Sequence, residues 1–209
     1  MKLAVIGASG KSGLKFVQLA LEDSFEIKAG INRLNKIKST SPNLEIVKCN
    51  ALNFDEIENL ISGCQAVVSL IGHGRKSPAN LQTLAITNVI KAMKKQGISR
   101  LISLTGNGVR MTGDKITLID LFLNFSIKLI DPNRIKDGIS HADLIRHSEL
   151  DWTILRVLKL HDLYESDFSL TDNGPAKVLV SRKEVARAII IMLKNDSYFK
   201  RLPLISKIQ

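Results

Sequence analysis

A three-layer αβα fold around a parallel sheet is predicted by three features of the 209-residue chain. Apolar runs of strand length alternate with segments of helical periodicity, the pattern of successive βαβ units. The first run, Lys2–Ile6, ends in Gly7-Ala8-Ser9-Gly10-Lys11-Ser12-Gly13 and opens directly into the amphipathic stretch Leu14–Leu21. Several helical stretches then stop at a glycine before the next apolar run, as Gly63 and Gly97 do.

The elements follow in order. Lys2–Ile6, Glu26–Ile31, Glu45–Lys48, Ala66–Ile71, Leu101–Leu104 and Trp152–Val157 read as strands, with a weaker one at Leu202–Ile205. Helices are expected near Ser12–Leu21, Phe54–Ser62, Asn80–Gln96, Asp137–His147 and Arg182–Lys194. In the third helix Leu81, Leu84, Ala85, Val89, Ala92 and Met93 share one face at 3.6-residue spacing. Asn53 with Glu56, and Ser181 with Glu184, have the spacing of an N-cap and its reciprocal partner. Lys115–Ile130 breaks the alternation, being rich in Leu, Ile and Phe with few charges. It is expected to be a core helix that covers the sheet. The alternative is a helix that walls the substrate cleft or pairs with a second subunit.

Composition narrows the class. With 44% hydrophobic residues the chain supports one core, so residues 1–209 are read as a single domain, with 158–209 forming a small part of the cleft. No window reaches the roughly 18 apolar residues of a span, so no membrane partner is expected. A cleaved leader would remove the glycine turn, so none is expected and a cytoplasmic location follows. Cys49 and Cys64 fit no metal or redox spacing and suit a reducing compartment. The +10 charge is scattered and aromatics are 5% of residues, which gives neither the basic stripe nor the stacking platform of a nucleic-acid module. No His, Cys and carboxylate spacing suits a metal, and no carboxylate pair suits hydrolysis.

The glycine turn carries the chemistry. Glycines let the backbone approach a pyrophosphate, and the helix start turns its free N–H groups and positive dipole end toward it. The spacing here is Gly-x-x-Gly-x-x-Gly. An NAD site would place an acid at the end of the second strand to bind the ribose 2′-hydroxyl. This chain has Asn32-Arg33 there, with Lys36 and Lys38 close behind. A guanidinium clamps a 2′-phosphate that a carboxylate would repel, so NADP(H) is expected over NAD(H).

With these residues in view the chain resembles the atypical short-chain dehydrogenase/reductases of the NmrA-like, NAD(P)H-binding type, a group related to flavin reductase (biliverdin-IXβ reductase). The resemblance rests on Gly7–Gly13, Asn32-Arg33, Ala66–Gly72, Asn88–Met93 running to Gly97–Thr105, His147–Arg156 and Ser181–Ala186. It implies that Ser9, Gly10, Lys11 and Ser12 lie under the pyrophosphate and that Arg33 meets the 2′-phosphate. It places Asn50, Ala51 and Leu52 at the adenine, and Gly72 and His73 along the ribose and pyrophosphate. Thr105, Gly106, Val157 and Leu158 would approach the nicotinamide.

The Tyr-x-x-x-Lys pair of ordinary short-chain dehydrogenases is missing, because Phe168 and Leu202 stand four residues after Tyr164 and Tyr198. Two readings remain. Either the protein passes hydride to a flavin, quinone or similar conjugated small-molecule acceptor that needs no strong protein acid, or it binds NADP(H) without turnover and reports redox state to a partner. His141 is a candidate general acid or a surface histidine. His73 is a phosphate or ribose contact or a polar turn residue. Thr105 and Asn107 are groups that orient a carboxamide or carbonyl, or simple turn chemistry. Arg156 is expected to be a structural ion-pair partner. A homodimer is possible for such a short chain.

Overall fold

The computed structural model describes residues 1–32, 37, 39–74 and 77–208. Arg33, Lys36 and Lys38 lie outside the described residues. The elements run β1 (Lys2–Ile6), α1 (Lys11–Glu22), β2 (Glu26–Ile31), β3 (Leu44–Lys48), α2 (Phe54–Ile61), β4 (Ala66–Ser69), α3 (Leu81–Gln96) and β5 (Arg100–Gly106). Then come α4 (Leu118–Ile130), α5 (Pro132–Arg146), β6 (Asp151–Val157), β7 (Lys159–His161), β8 (Ser169–Thr171), β9 (Leu179–Ser181), α6 (Arg182–Leu193) and β10 (Leu204–Ser206).

Eight strands form one sheet in the order β3-β2-β1-β4-β5-β6-β10-β8, parallel except where β8 runs against β10. The chain winds outward from β1 in both directions, the Rossmann-like arrangement. Ile6 pairs in register with Gly30 of β2 on one side and Ser69 of β4 on the other. The carboxyl ends of these strands therefore finish at one level, and the loops that leave them gather along one edge.

Alternation within β1 shows why its apolar run is continuous. Leu3 and Val5 enter one core and Ala4 and Ile6 the other, so the strand is buried on both faces. The first core holds Phe16, Val17 and Ala20 of α1 against Val185, Ile189 and Met192 of α6. The second holds Ile57 and Leu60 of α2, Ile86 and Met93 of α3, and Ala142 and Ile145 of α5.

The cap signals work as the sequence implies, with one change of partner. Asn53 accepts from the amides of Asp55 and Glu56, while the Glu56 carboxylate reaches back to the Asn50 amide at 2.7 Å. Ser181 and Glu184 form the full reciprocal cap of α6. Helix α5 starts at Pro132, five residues before the expected Asp137. Proline is pre-set for the first helical position, and Asp131 caps the helix through the Arg134 amide at 3.2 Å. The last long-sheet strand begins at Leu204, two residues past the expected start, and β7, β8 and β9 had no sequence signal.

Segment 115–130 corrects the leading expectation. Helix α4 does not cover the sheet. It packs on α5, and its only buried residue is Asp120.

Candidate functional site

The turn after β1 is built by steric necessity. Gly7 has φ +79°, a conformation that side chains rarely adopt, and a Cβ there would meet the Leu70 carbonyl oxygen at 2.9 Å. The Gly10 amide donates to the Gly7 carbonyl at 3.0 Å, and Gly10 occupies the N-cap of α1. No side chain caps this helix and no acid stands in its first turn. Its first amides and positive end are left for an outside anion.

Beside this turn lies a cavity of about 410 Å³, the size of a small-ligand site. It opens outside the carboxyl ends of the central strands, where the sheet order reverses, the position at which open α/β sheets bind ligands. Of the residues expected at a cofactor, Ser12, Gly72, His73, Thr105, Gly106, Val157 and Leu158 converge on it. Gly7, Ser9, Gly10, Lys11 and Gly13 form the adjoining turn. Asn32, Asn50, Ala51 and Leu52 are not among its lining residues. Asn32 is exposed after β2, while Asn50 accepts from the Leu52 amide at 3.1 Å and Ala51 accepts from the Asn88 side chain at 3.1 Å.

Thr105 is 3% exposed, lines the cavity, and its Oγ1 has no hydrogen-bond partner among the described residues. A buried hydroxyl without a partner costs free energy unless something else satisfies it, so this atom fits a ligand carbonyl or amide. Asn107 is similar. Its Nδ2 donates to Asp120 at 2.9 Å while its Oδ1 stays unpartnered among the described residues.

Two carboxylates that sequence reasoning did not assign hold this wall in place. Asp120 receives Asn107, both terminal nitrogens of Arg110 at 2.7 and 2.8 Å, and the Asn124 amide at 2.5 Å. The signal was present, since a lone acid inside an apolar stretch implies a buried partner. Asp137 accepts from the Gln82 and Thr83 amides at 2.7 and 2.9 Å and from the Thr83 hydroxyl. His73 Nε2 lies 2.8 Å from Asp137 Oδ2, a contact that attracts when the imidazole carries its proton. Burial alone would raise the Asp137 pKa, but these hydrogen bonds and the His73 charge hold it below the usual carboxylate range. His73 is thereby fixed at the cavity wall by a helix 64 residues further along the sequence.

The structure places His141, expected either as a general acid or as a surface histidine, away from both the cavity and the surface. It is 2% exposed, is not among the lining residues, and meets Ser103 Oγ at 2.9 Å through Nε2. Burial pushes its pKa down to about 4, opposed by the charge of Asp137. The ring is neutral near pH 7 and has no proton to spare for an acceptor. A stability consequence follows. The folded pKa lies below the unfolded value near 6.5, so the contribution is whole above pH 6.5 and is lost as pH falls toward 4. Acid titration of the melting free energy should show a loss of about 3 kcal/mol over that window that His141→Gln removes. An unchanged slope in the variant would contradict the assignment.

The buried thiols are chemically quiet. Cys49 and Cys64 are free, and burial, with a smaller push from Glu56, raises the Cys49 pKa to about 12. Among the described residues no group of His, Cys, Asp and Glu is arranged to hold a metal, and no helix is long and apolar enough to cross a membrane.

Comparison with known proteins gives the site its context. An uncharacterized chloroplastic protein of Arabidopsis thaliana is 26% identical over 226 residues, covering 99% of this chain and 77% of its own length. A UPF0659 protein of Saccharomyces cerevisiae is 26% identical over 211 residues, covering 94% and 88%. The chain spans only 33% of the chloroplastic protein TIC 62 of Arabidopsis thaliana, at 23% identity. Among solved structures, a short-chain dehydrogenase/reductase from Veillonella parvula in complex with NADP superposes with a TM-score of 0.83 at 17% identity, covering 99% of this chain and 94% of that one. A proposed NADH-flavin reductase from Streptococcus pneumoniae superposes with a TM-score of 0.80 at 20% identity, covering 100% of both chains. These structural likenesses establish the fold. A family model described as NAD(P)H-binding matches residues 7–196, from the first glycine of the turn to just past α6. With the uncapped helix start, the glycine turn and the convergent cavity in place, that match makes this chain a member of the NAD(P)H-binding family.

Proposed function

We propose that the protein is an NADP(H)-dependent reductase that passes hydride to a flavin, quinone or similar conjugated acceptor. The cavity carries this reading. Leu104, Val109, Ile127, Ile135, Val157 and Leu160 give it an apolar wall, and Thr105 supplies an unpartnered hydroxyl inside it. Such a wall suits a flat apolar ring and aligns it for hydride transfer.

The turn from Gly7 to Gly13 and the start of α1 would hold the pyrophosphate, and Arg33 would select the 2′-phosphate. When bound, the cofactor supplies the hydride. Thr105 Oγ1, unpartnered in the cavity wall, would hydrogen-bond the carboxamide. His73, beside Asp137 on the cavity wall, would contact ribose or phosphate. The acceptor is protonated from solvent, because no Tyr-x-x-x-Lys pair exists and His141 is neutral and buried. The free buried thiols support a cytoplasmic location.

The missing Tyr-x-x-x-Lys pair also fits a second reading, a redox sensor that binds NADP(H) without turnover. NADPH oxidation with FMN or menadione as acceptor separates the two. Turnover supports the reductase, and tight binding without turnover overturns it in favour of the sensor. Thermal melting should show stabilisation by NADPH well above that by NADH, about 2.7 kcal/mol at 100 times the dissociation constant. Arg33→Asp should erase that difference, and a preference surviving in the variant would remove Arg33 from the site. Thr105→Val should lower kcat about tenfold, the worth of one hydrogen bond made in the transition state, while the melting temperature holds or rises. Full activity in that variant would take Thr105 out of the chemistry.

A further inference from the structure

Helix α4 is built inside out. Leu118, Phe122, Phe125 and Leu129 recur at i, i+4, i+7 and i+11 and form one stripe. That stripe faces solvent, with exposures of 85%, 69%, 61% and 69%. The opposite stripe, Asp120, Asn124 and Ile127, is turned inward, where Asp120 is buried and the other two line the cavity. The polar side is therefore inside and the apolar side outside. Ile130 extends the apolar face with 84% exposure. A contiguous surface of this kind marks an interaction site.

Charge decides what covers it. Lys128 lies on α4 beside the stripe and Lys115 just before the helix, both exposed, while Arg134, exposed near the start of α5, also lines the cavity. The nearby carboxylates are turned inward or occupied: Asp114 on Arg156, Asp120 on Arg110, Asp137 against His73, and Asp131 on the start of α5. The rim of the apolar face is cationic on a chain of formal charge +10. A second copy of this chain meeting it across a two-fold axis would set these cations against their own images. Anionic headgroups complement them, and an apolar stripe flanked by cations is the pattern of an interfacial helix. At 13 residues α4 is about 20 Å long, enough to lie in the surface and too short to cross it.

We propose that α4 seats the protein on an anionic lipid bilayer and that the cavity it walls takes an apolar acceptor from that bilayer. The second half rests on the reductase reading. The docking reverses the expectation of no membrane partner, which rests on the want of a spanning segment and does not apply to a helix lying flat in the surface.

Sedimentation of the full chain with phosphatidylcholine–phosphatidylglycerol vesicles tests the docking. Binding should be at least about tenfold tighter than to phosphatidylcholine alone and should weaken with salt. Combining Phe122→Asp with Phe125→Asp should weaken it a further tenfold or so, with unchanged melting temperature and unchanged menadione reduction in solution. Lys128→Glu should weaken it several-fold. No binding to anionic vesicles, equal binding by the double variant, or a stable dimer that the double variant dissociates would each overturn the docking. For the acceptor, the double variant should lose reduction of a long-tailed quinone held in the vesicles while keeping that of menadione. Vesicle binding with no reduction of either quinone or of FMN would overturn the acceptor half and the reductase reading and leave the docking standing. Menadione reduction without vesicle binding would overturn the docking, and with it the bilayer as source of the acceptor, and leave the reductase reading standing.

Discussion

Gly13→Ala should abolish cofactor binding in a protein that still folds. A Cβ at this position would lie 2.2 Å from the Gly7 carbonyl oxygen and 2.7 and 2.8 Å from Cα and the carbonyl carbon of Ala8. Every one of these atoms is backbone, so no flexible side chain can move aside. The first turn of α1 must lift away from the strand, and the amides that would face a pyrophosphate move with it. Overpacking of this kind costs about 1–3 kcal/mol, a fall of roughly 5 °C in melting temperature for a chain of this length. The loss of affinity should be larger, at least about 100-fold, which removes the 2.7 kcal/mol that NADPH at 100 times its dissociation constant adds to the wild type. Gly10→Ala is the graded control. Its Cβ would meet the Gly7 carbonyl oxygen at 3.2 Å, a contact that a small shift relieves, so its affinity should fall between the two. A folded Gly13→Ala protein that binds NADPH as tightly as wild type would remove this turn from the site.

How much of this was legible depended on whether the determining contacts were local. Lys2–Ile6 and Glu26–Ile31 read with the bounds the structure has, because each is a short, mostly buried run ended by turn residues. The glycine turn was legible for the same reason, since a close backbone approach admits no other residue. The direction in which an apolar helix faces is a different matter. The stripe of α4 has the right period, but periodicity does not say which side meets the protein, and here a single buried carboxylate, Asp120, reverses it. Strands β7, β8 and β9 have three residues each, too few for a period of two to register. The contact of His73 with Asp137 joins the loop after β4 to α5 and has no spacing signature. His141 was read from its helix alone. Its neighbour Ser103, which takes it below the surface, belongs to β5.

Breaking the Arg156–Asp114 pair should be the most destabilising of these changes. Arg156 is fully buried, and its terminal nitrogens reach the Asp114 carboxylate at 2.6 and 3.1 Å. The same guanidinium donates to the carbonyls of Leu202, Val109 and Asp172 at 2.8, 3.2 and 2.7 Å. One side chain thus ties β6 to the segment before α4, to the turn after β8 and to the approach to β10. Arg156→Leu would leave a carboxylate with 4% side-chain exposure and three carbonyls without their donor. Removing one partner of a buried pair costs about 3–5 kcal/mol, or roughly 10 °C in melting temperature here. The exposed pair Lys94–Glu149, at a similar distance of 3.3 Å, should by contrast be worth under about 1 kcal/mol, because water screens it. Combining Arg156→Leu with Asp114→Leu distinguishes a stabilising pair from a mere mutual obligation. If the cost of Arg156→Leu comes from the stranded charge, the double variant should recover most of it, although the unmet carbonyls keep part of the loss. Because Val157 and Leu158 follow Arg156 directly into the cavity wall, NADPH affinity should fall in the single variant and return in the double in step with stability. Affinity that stayed lost in a restabilised double variant would give Arg156 a role at the site itself.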